Sequence, residues 1–238
     1  MPIIRYVTLA LIALTISAAS SSAQEAKAKK KAAPNPAYQA IEDVPGLPRV
    51  LLIGDSISIG YTLAVREELK GKANVHRPAT NCGPTTRGVE LIDAWLGNGK
   101  RDVIHFNFGL HDLKFIDDQG KNTPPEKGRV QVSAADYEKN LETIVGRMKK
   151  TGAKLIFATT TPVPPGEPQR IKGDERKYND IARRVMQKHG VAIDDLCAFC
   201  EPRLAELQLP ANVHFKPEGS KQLAAQVAAS ILQALEKK

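Results

Sequence analysis

Apolar positions along the chain form short continuous runs that alternate with longer stretches in which they recur at helical spacing. The short runs predict five strands, at residues 49–53, 75–77, 103–106, 154–158 and 191–193. The longer stretches predict helices at residues 62–69, 85–96, 135–150, 174–189 and 217–236. Alternating strands and helices indicate βαβ units, and unbroken apolar strands indicate burial on both faces. The pattern therefore predicts an α/β protein, a three-layer α/β/α sandwich around a mostly parallel five-stranded sheet.

The N-terminal residues 1–23 have the pattern of a secretory leader. Arg5 precedes an apolar run of ten residues, and the small residues Ser21 and Ala23 mark a cleavage site. The alternative is a membrane anchor, but a spanning helix needs about 20 apolar residues. We therefore expect a signal peptide that is removed, and a mature protein that is secreted or periplasmic, without stable membrane insertion.

Charge and composition limit the classes of partner. The formal net charge is +8, and half of it lies in Arg5 and the lysine-rich residues 24–33. Aromatic residues make up only 5% of the chain, which does not favour a stacking platform, so no nucleic-acid partner is expected. Residues 24–45, rich in Ala, Lys and Pro, are predicted to be a flexible linker. The alternative role for the lysines of this segment is contact with an anionic surface. The remaining residues 46–238 are predicted to form the domain.

Candidate chemistry follows the strands of the predicted sheet, where ligands bind in open α/β folds. The first strand runs into Gly54-Asp55-Ser56, a tight turn that would expose the serine hydroxyl at the start of a helix. Later turns carry Asn-Cys-Gly-Pro at residues 81–84 and Gly-Leu-His-Asp at residues 109–112. The segment Val-His-Phe-Lys-Pro-Glu-Gly at residues 213–219 precedes the last helix. The motifs at residues 54–56 and 81–84, each taken alone, are also explained by an ordinary turn.

Together and in this order, the four segments resemble those of the SGNH, or GDSL-type, hydrolases over residues 49–237. The resemblance implies a flavodoxin-like sandwich in which Ser56 is the nucleophile and His214 the general base. It also implies an oxyanion hole formed by Ser56, Gly83 and the residue at position 111. These roles agree with the chemistry, because a serine hydroxyl is a weak nucleophile until a base takes its proton, and histidine suits that task near neutral pH.

Two positions depart from the family pattern. His111 stands where the family has an asparagine, although an imidazole N–H can also donate to an oxyanion. Ala211 stands where the family usually has the aspartate that orients the histidine. Loss of that acid can cost about four decades of rate in a serine triad. A backbone carbonyl near Ala211 is one substitute, Asp195 and Glu218 are the candidate carboxylates, and a Ser56–His214 dyad is the favoured interpretation.

The remaining cysteines and histidines do not change this hypothesis. Cys197 and Cys200 are separated by two residues, a redox-type spacing that buried thiols or a local disulfide explain equally well, and the sequence does not decide how Cys82 pairs. His111 and His214 lack a ligand-spaced partner cluster, so neither a metal nor an organic cofactor is implied.

The predicted function is a secreted esterase that acts on a small-molecule or carbohydrate ester with a small acyl group. The rival hypothesis is a weakly active or inactive domain that binds a glycan or a cell-envelope polymer, since Ala211 and His111 both depart from the family pattern. The sequence leaves the oligomeric state open.

Overall fold

A parallel five-stranded sheet forms the centre of the computed structural model, which describes residues 35–237. The strands are β1 (Arg49–Ile53), β2 (Asn74–His76), β3 (Val103–Phe106), β4 (Phe115–Ile116), β5 (Arg129–Val130), β6 (Lys154–Ala158) and β7 (Ala192–Asp194). The order across the sheet is β2-β1-β3-β6-β7, with every neighbouring pair parallel, and β4 and β5 form a separate antiparallel ribbon. All five predicted strands belong to the sheet, and the α/β prediction is confirmed.

Helices cover the sheet in two groups. They are α1 (Ser56–Glu68), α2 (Thr85–Leu96), α3 (Ala134–Lys149), α4 (Asp174–His189), α5 (Leu196–Cys200), α6 (Leu204–Leu207) and α7 (Pro217–Glu236). The first and last helices, α1 and α7, pack against each other, and α3 packs between α2 and α4. Because both faces of the sheet are covered, β3 is buried along its whole length, including His105, whose Nε2 lies 3.0 Å from Asp194 Oδ2.

The first helix begins six residues earlier than its apolar spacing predicts. Asp55 is the residue before the helix, and its Oδ1 accepts a hydrogen bond from the Ile57 N–H at 2.9 Å. A carboxylate in this position satisfies one of the amide groups that the first turn leaves without a partner. The cap therefore starts α1 at Ser56 and places that serine in the first turn.

The folded domain also begins earlier than expected. Residues 35–45, predicted as part of the linker, pack on the domain: Ala37 is buried, and the Val44 N–H donates to Asn74 Oδ1 at 2.9 Å. Asp43 binds both Arg49 and His76. One buried side chain, a hydrogen bond and two ion pairs therefore hold this segment on the domain, although its composition is that of a linker. The predicted leader and residues 24–34 lie outside the described residues.

Within residues 35–237, none of the helices combines the length and the apolar character that a membrane crossing requires. The three cysteines are free and buried in this structure. The thiols of Cys197 and Cys200 lie in and beside the core instead of forming the local disulfide that their spacing allowed.

Candidate active site

A cavity of about 430 Å³ lies beyond the carboxyl ends of β1 and β3, where the strand order changes direction. This is the place at which open α/β sheets bind ligands. Ser56, His111 and His214 all line the cavity, so residues from the two ends of the chain meet there. Polar side chains make up most of the remaining wall: Asn81, Lys114, Asn122, Glu167, Gln169, Arg170 and Asn212.

Ser56 is held at the tip of a turn that only glycine permits. A Cβ atom on Gly54 would lie 2.0 Å from Asn107 Oδ1, which belongs to the segment that follows β3. The close approach of these two segments brings the turn against the sheet, and Asp55 then starts α1. No residue in the described part of the chain accepts a hydrogen bond from the Ser56 N–H, which points from the positive end of α1.

His214 makes a hydrogen bond to the serine across 158 residues of sequence. The distance between Ser56 Oγ and His214 Nε2 is 2.9 Å. The other ring nitrogen, Nδ1, lies 2.6 Å from Asn212 Oδ1, which also accepts the His214 backbone N–H at 2.9 Å. Since that amide oxygen can only accept, Nδ1 carries the proton and Nε2 is left to accept from the serine. The arrangement can therefore remove the hydroxyl proton of Ser56.

The loop before α7 fixes the histidine through its backbone. Gln208 Nε2 donates to Pro162 O at 2.9 Å and to Val213 O at 3.2 Å, and the Leu209 N–H donates to His214 O at 2.9 Å. Ala211 adopts a φ of 50°, a left-handed conformation that is uncommon for a residue with a Cβ. This turn at Ala211 places Asn212 beside the ring.

The orienting group is therefore Asn212, which is not among the residues predicted from the sequence. Neither Asp195 nor Glu218, the two carboxylates proposed from the sequence, takes this role in the structure. Asp195 caps α5 and binds Thr159 and Arg183, and Glu218 faces Lys221 on the exposed first turn of α7. The proposed backbone carbonyl near Ala211 is replaced by a side-chain oxygen one residue further on. An asparagine two residues before the histidine, next to an alanine in a tight loop, was the available signal.

His111 lies in the cavity wall, as its proposed role as an oxyanion donor requires. Burial, together with the positive charges of Lys114 and Arg170, lowers the pKa of His111, against the opposite effect of the Asp55 carboxylate. The imidazole is therefore kept neutral near pH 7, with one N–H available to donate.

Gly83 does not present a free donor. Its N–H donates to Asn81 Oδ1 at 2.9 Å, and Asn81, not Gly83, lines the cavity. Gly83 has a φ of 66°, so the glycine is needed to make this turn. Of the three groups proposed for the oxyanion hole, the Ser56 N–H and the His111 ring have no hydrogen-bond partner within residues 35–237, and the assignment of Gly83 is not supported by this geometry.

Asp112 ties the loop that carries His111 to the start of α2. Its Oδ1 accepts the Thr85 N–H at 2.8 Å and the Thr85 hydroxyl at 2.5 Å, while its Oδ2 is buried without a hydrogen-bond partner. Burial raises the pKa of Asp112 to about 7, although the Thr85 hydrogen bonds act in the opposite direction. The side chain is therefore a buried carboxyl that keeps its proton in moderately acidic solution.

This carboxyl makes the stability of the domain depend on pH. In the unfolded chain an aspartate loses its proton near pH 4, but Asp112 holds it to about pH 7 when folded, so its contribution to stability is complete below pH 4 and is lost between pH 4 and pH 7. Asp112→Asn should remove this loss, and the stability of the variant relative to the wild type should rise by about 1–4 kcal/mol over that interval.

Urea unfolding at pH 4.5, 6 and 8 measures the difference. Asp118→Asn, which removes an exposed carboxylate from a nearby turn, is the matched control. A difference in the free energy of unfolding between Asp112→Asn and the wild type that is the same at all three pH values would contradict the expectation.

The geometry defines a class of protein: an α/β/α sandwich with a hydrogen-bonded serine and histidine at the carboxyl edge of a parallel sheet. This is the arrangement of the SGNH hydrolases that the four sequence segments resemble. Residues 52–222 match the model of the GDSL-like lipase/acylhydrolase family, well over half of the chain. The chain therefore belongs to the GDSL-like lipase/acylhydrolase family.

Solved structures share the fold at low sequence identity. A lipase/acylhydrolase from Enterococcus faecalis superimposes with a TM-score of 0.64 at 20% identity, covering 78% of this chain and 95% of the other. An acetyl xylan esterase gives 0.61 at 17% identity, with coverages of 77% and 99%. An acetylxylan esterase from Geobacillus stearothermophilus gives 0.56 at 17% identity, with coverages of 80% and 95%. None of the curated proteins matches the chain.

Proposed function

We propose that this protein is a serine esterase that removes a small acyl group from a polar alcohol, for which a carbohydrate is the preferred candidate. The observation that carries the proposal is the chain of hydrogen bonds from Ser56 to His214 to Asn212. It contains the nucleophile, a base within reach of it, and a group that fixes the base in the correct tautomer.

The proposed reaction proceeds through an acyl-enzyme. Ser56 Oγ attacks the acyl carbon while its proton passes to His214 Nε2. The Ser56 N–H and the His111 ring stabilise the oxyanion that forms. His214 then protonates the leaving alkoxide, and in a second step it takes a proton from the water that releases the acyl group from Ser56.

The polar wall of the cavity supports the choice of substrate. Leu110, Pro168, Ala211 and Val213 are the apolar residues that line it, and the other ten lining residues are polar or charged. A long acyl chain gains from burial of apolar surface, and this wall offers little of it. Two of the proteins that share the fold are acetyl xylan esterases, which release an acetyl group from a carbohydrate, as proposed here.

The test is hydrolysis of p-nitrophenyl acetate, butyrate and octanoate together with labelling by a fluorophosphonate. The acetate should be the best of the three substrates, and the label should be found on Ser56 by peptide mass spectrometry. Labelling that persists at the same stoichiometry in Ser56→Ala would overturn the assignment of the nucleophile.

A second candidate function is a glycan-binding domain with little or no activity. It is favoured by the neutral Asn212 in place of a carboxylate and by the engagement of the Gly83 N–H with Asn81. A protein of this kind would neither hydrolyse the acetate in a Ser56-dependent manner nor react with the fluorophosphonate. The same experiment therefore separates the two functions.

Export from the cytoplasm is part of the proposal. It rests on the leader pattern of residues 1–23, with Ser21 and Ala23 before the expected cleavage site. The intact mass of protein recovered from outside the cytoplasm should correspond to a chain that starts at Gln24. A mass that includes the leader would contradict this.

Asn212 is a positioning residue in this mechanism, and its substitution separates orientation from charge. Asn212→Ala should lower kcat by about 10–100-fold, because the His214 ring loses the acceptor that holds Nδ1–H. Asn212→Asp keeps the acceptor and adds a negative charge, so it should raise kcat by about tenfold by stabilising the imidazolium. It should also move the acidic limb of the kcat/KM profile to higher pH, because the carboxylate favours the protonated ring.

Profiles of kcat/KM between pH 5 and pH 9 provide the measurement. Asn98→Asp, on the exposed turn after α2, is the control for the added charge and should leave the profile in place. If both Asn212 variants shift kcat by less than twofold and leave the pH profile unchanged, Asn212 does not position the histidine.

A further inference from the structure

Two cations stand on adjoining loops in one wall of the cavity that holds Ser56. Lys114 lies just before β4, and Arg170 lies in the loop that precedes α4. The loops are joined by hydrogen bonds from Arg170 Nε to Leu110 O at 2.8 Å and from the Phe115 N–H to Gln169 O at 2.8 Å. These hydrogen bonds hold the two loops together, so that Lys114 and Arg170 lie in the same wall of the cavity as the serine.

The nearby carboxylates leave this wall with an unmatched positive charge. Glu167 uses one oxygen for Arg170 Nη1 at 2.9 Å and the other for the Gln169 N–H at 2.9 Å, and the Glu167 and Arg170 side chains are only 6% and 8% exposed. Asp55 and Asp112 are the other acidic residues near the site; Asp55 caps α1, and Asp112 binds Thr85 at the start of α2. The Lys114 ammonium contacts no carboxylate and donates to no acceptor within residues 35–237.

The half-buried position of Lys114 makes the missing partner significant. Burial, and then the neighbouring charge of Arg170, lowers the pKa of Lys114. Arg170 Nη2 likewise has no acceptor in the described part of the chain, while its Nε and Nη1 are bonded. Both donors belong to residues that line the cavity, and an anion that enters it would accept charge-assisted hydrogen bonds from them.

We propose that Lys114 and Arg170 bind an anionic group, a carboxylate or a phosphate, carried by the alcohol part of the ester. This inference rests on the proposed function, in which the acyl group is small and neutral, as an acetyl group is, so that the alcohol carries the charge. The neighbouring histidines, His111 and His214, are in the same cavity and add no negative charge to oppose the anion. The substrate class is therefore an acylated acidic sugar or sugar phosphate.

The experiment compares three mono-O-acetylated methyl glycosides that differ at C6 only: methyl glucuronoside, methyl glucoside and methyl glucoside 6-phosphate. A higher kcat/KM for either anionic ester than for the neutral one would show a preference for an anion. The ratio of kcat/KM between the two anionic esters distinguishes a carboxylate from a phosphate. We expect kcat/KM for the preferred anionic ester to exceed that for the glucoside by about tenfold at low ionic strength, and the preference to weaken as salt is added.

Variants at the lysine test its part in the preference. Lys114→Met should reduce the ratio of anionic to neutral kcat/KM to near one, and Lys114→Arg should retain most of it because the charge remains. Lys139→Met, on the exposed face of α3, is the control for net charge and should keep the full ratio. A wild-type ratio of one, or a ratio that Lys114→Met leaves unchanged, would overturn the inference.

Binding to Ser56→Ala keeps this result separate from the esterase activity. Calorimetry with methyl glucuronoside, methyl glucoside 6-phosphate and methyl glucoside measures the anion preference without turnover. Absence of Ser56-dependent hydrolysis with preferential binding of an anionic sugar would reject the proposed function and keep the anion site. Hydrolysis of all three esters with equal efficiency and no binding preference would reject the anion site and keep the esterase.

Discussion

Ser56→Ala and His214→Ala are each expected to lower kcat/KM for p-nitrophenyl acetate by about 10⁴-fold or more, and the double variant should be no slower than either single variant. The reason is the 2.9 Å contact between Ser56 Oγ and His214 Nε2, on which the proposed roles of nucleophile and base depend. Without the base the hydroxyl keeps its proton, and without the hydroxyl the base has no proton to take. Losing the second member of such a unit therefore costs little more.

Steady-state kinetics with the four proteins measure this non-additivity. Ser220→Ala is the matched control, because this serine lies on α7, away from the cavity wall, and its loss should leave kcat/KM within about twofold of the wild type. If the fold reductions in kcat/KM of the two single variants multiply in the double variant, Ser56 and His214 act separately. That result would contradict the mechanism even if each single variant were slow.

His111→Ala is expected to lower kcat by about 10²–10³-fold, with a much smaller change in KM. The ring and the Ser56 N–H are the proposed donors to the oxyanion, and a donor of this kind acts mainly in the transition state. His111→Asn should recover most of the loss, because the amide also donates and is the residue that the family carries at this position. Recovery of kcat in His111→Asn would also show that a hydrogen-bond donor is required at this position and that an imidazole is not.

The pH dependence gives an independent readout for His111. Burial lowers its pKa, so the ring is neutral over most of the working range and charges only in acid. His111→Asn should therefore alter the profile in acid alone. His189→Ala is the control, since that ring binds Glu142 between α3 and α4 and should change neither kcat nor the profile. A higher KM with an unchanged kcat in His111→Ala would instead assign His111 to substrate binding.

Most of the fold could be predicted because strands that are buried on both faces of a parallel sheet consist of unbroken apolar runs, which are visible in the sequence. The start of α1 could not, because residues 56–60 contain two serines and a glycine and lack helical spacing of apolar positions. The Asp55 cap and packing against the turn at Gly54 decide that helix end. Similarly, the composition of residues 35–45 indicates a linker, while Ala37 and Asp43 make specific contacts with the domain.

The site divides in the same way. Ser56 and His214 stand in motifs whose local sequence fixes their place, so their proximity could be anticipated from the resemblance. Asn212 could not, because its role depends on the left-handed turn at Ala211 and on the direction in which the loop leaves α6. Lys114 and Arg170 were missed for a related reason: two loops separated by more than fifty residues of sequence are brought together by backbone hydrogen bonds.

His214 and Asn212 are both solvent-exposed, and this exposure would affect the fate of the proposed acyl-enzyme. An ester bond on Ser56 would face the bulk solvent beside a base that is already accessible, so water reaches it without a closing movement of the protein. Enzymes that transfer acyl groups to other alcohols must keep water away from this intermediate. Added methanol or glycerol should therefore divert only a small fraction of the acyl groups, and the partition should follow the concentration of the alcohol without saturating, as expected for an acceptor that has no binding site of its own.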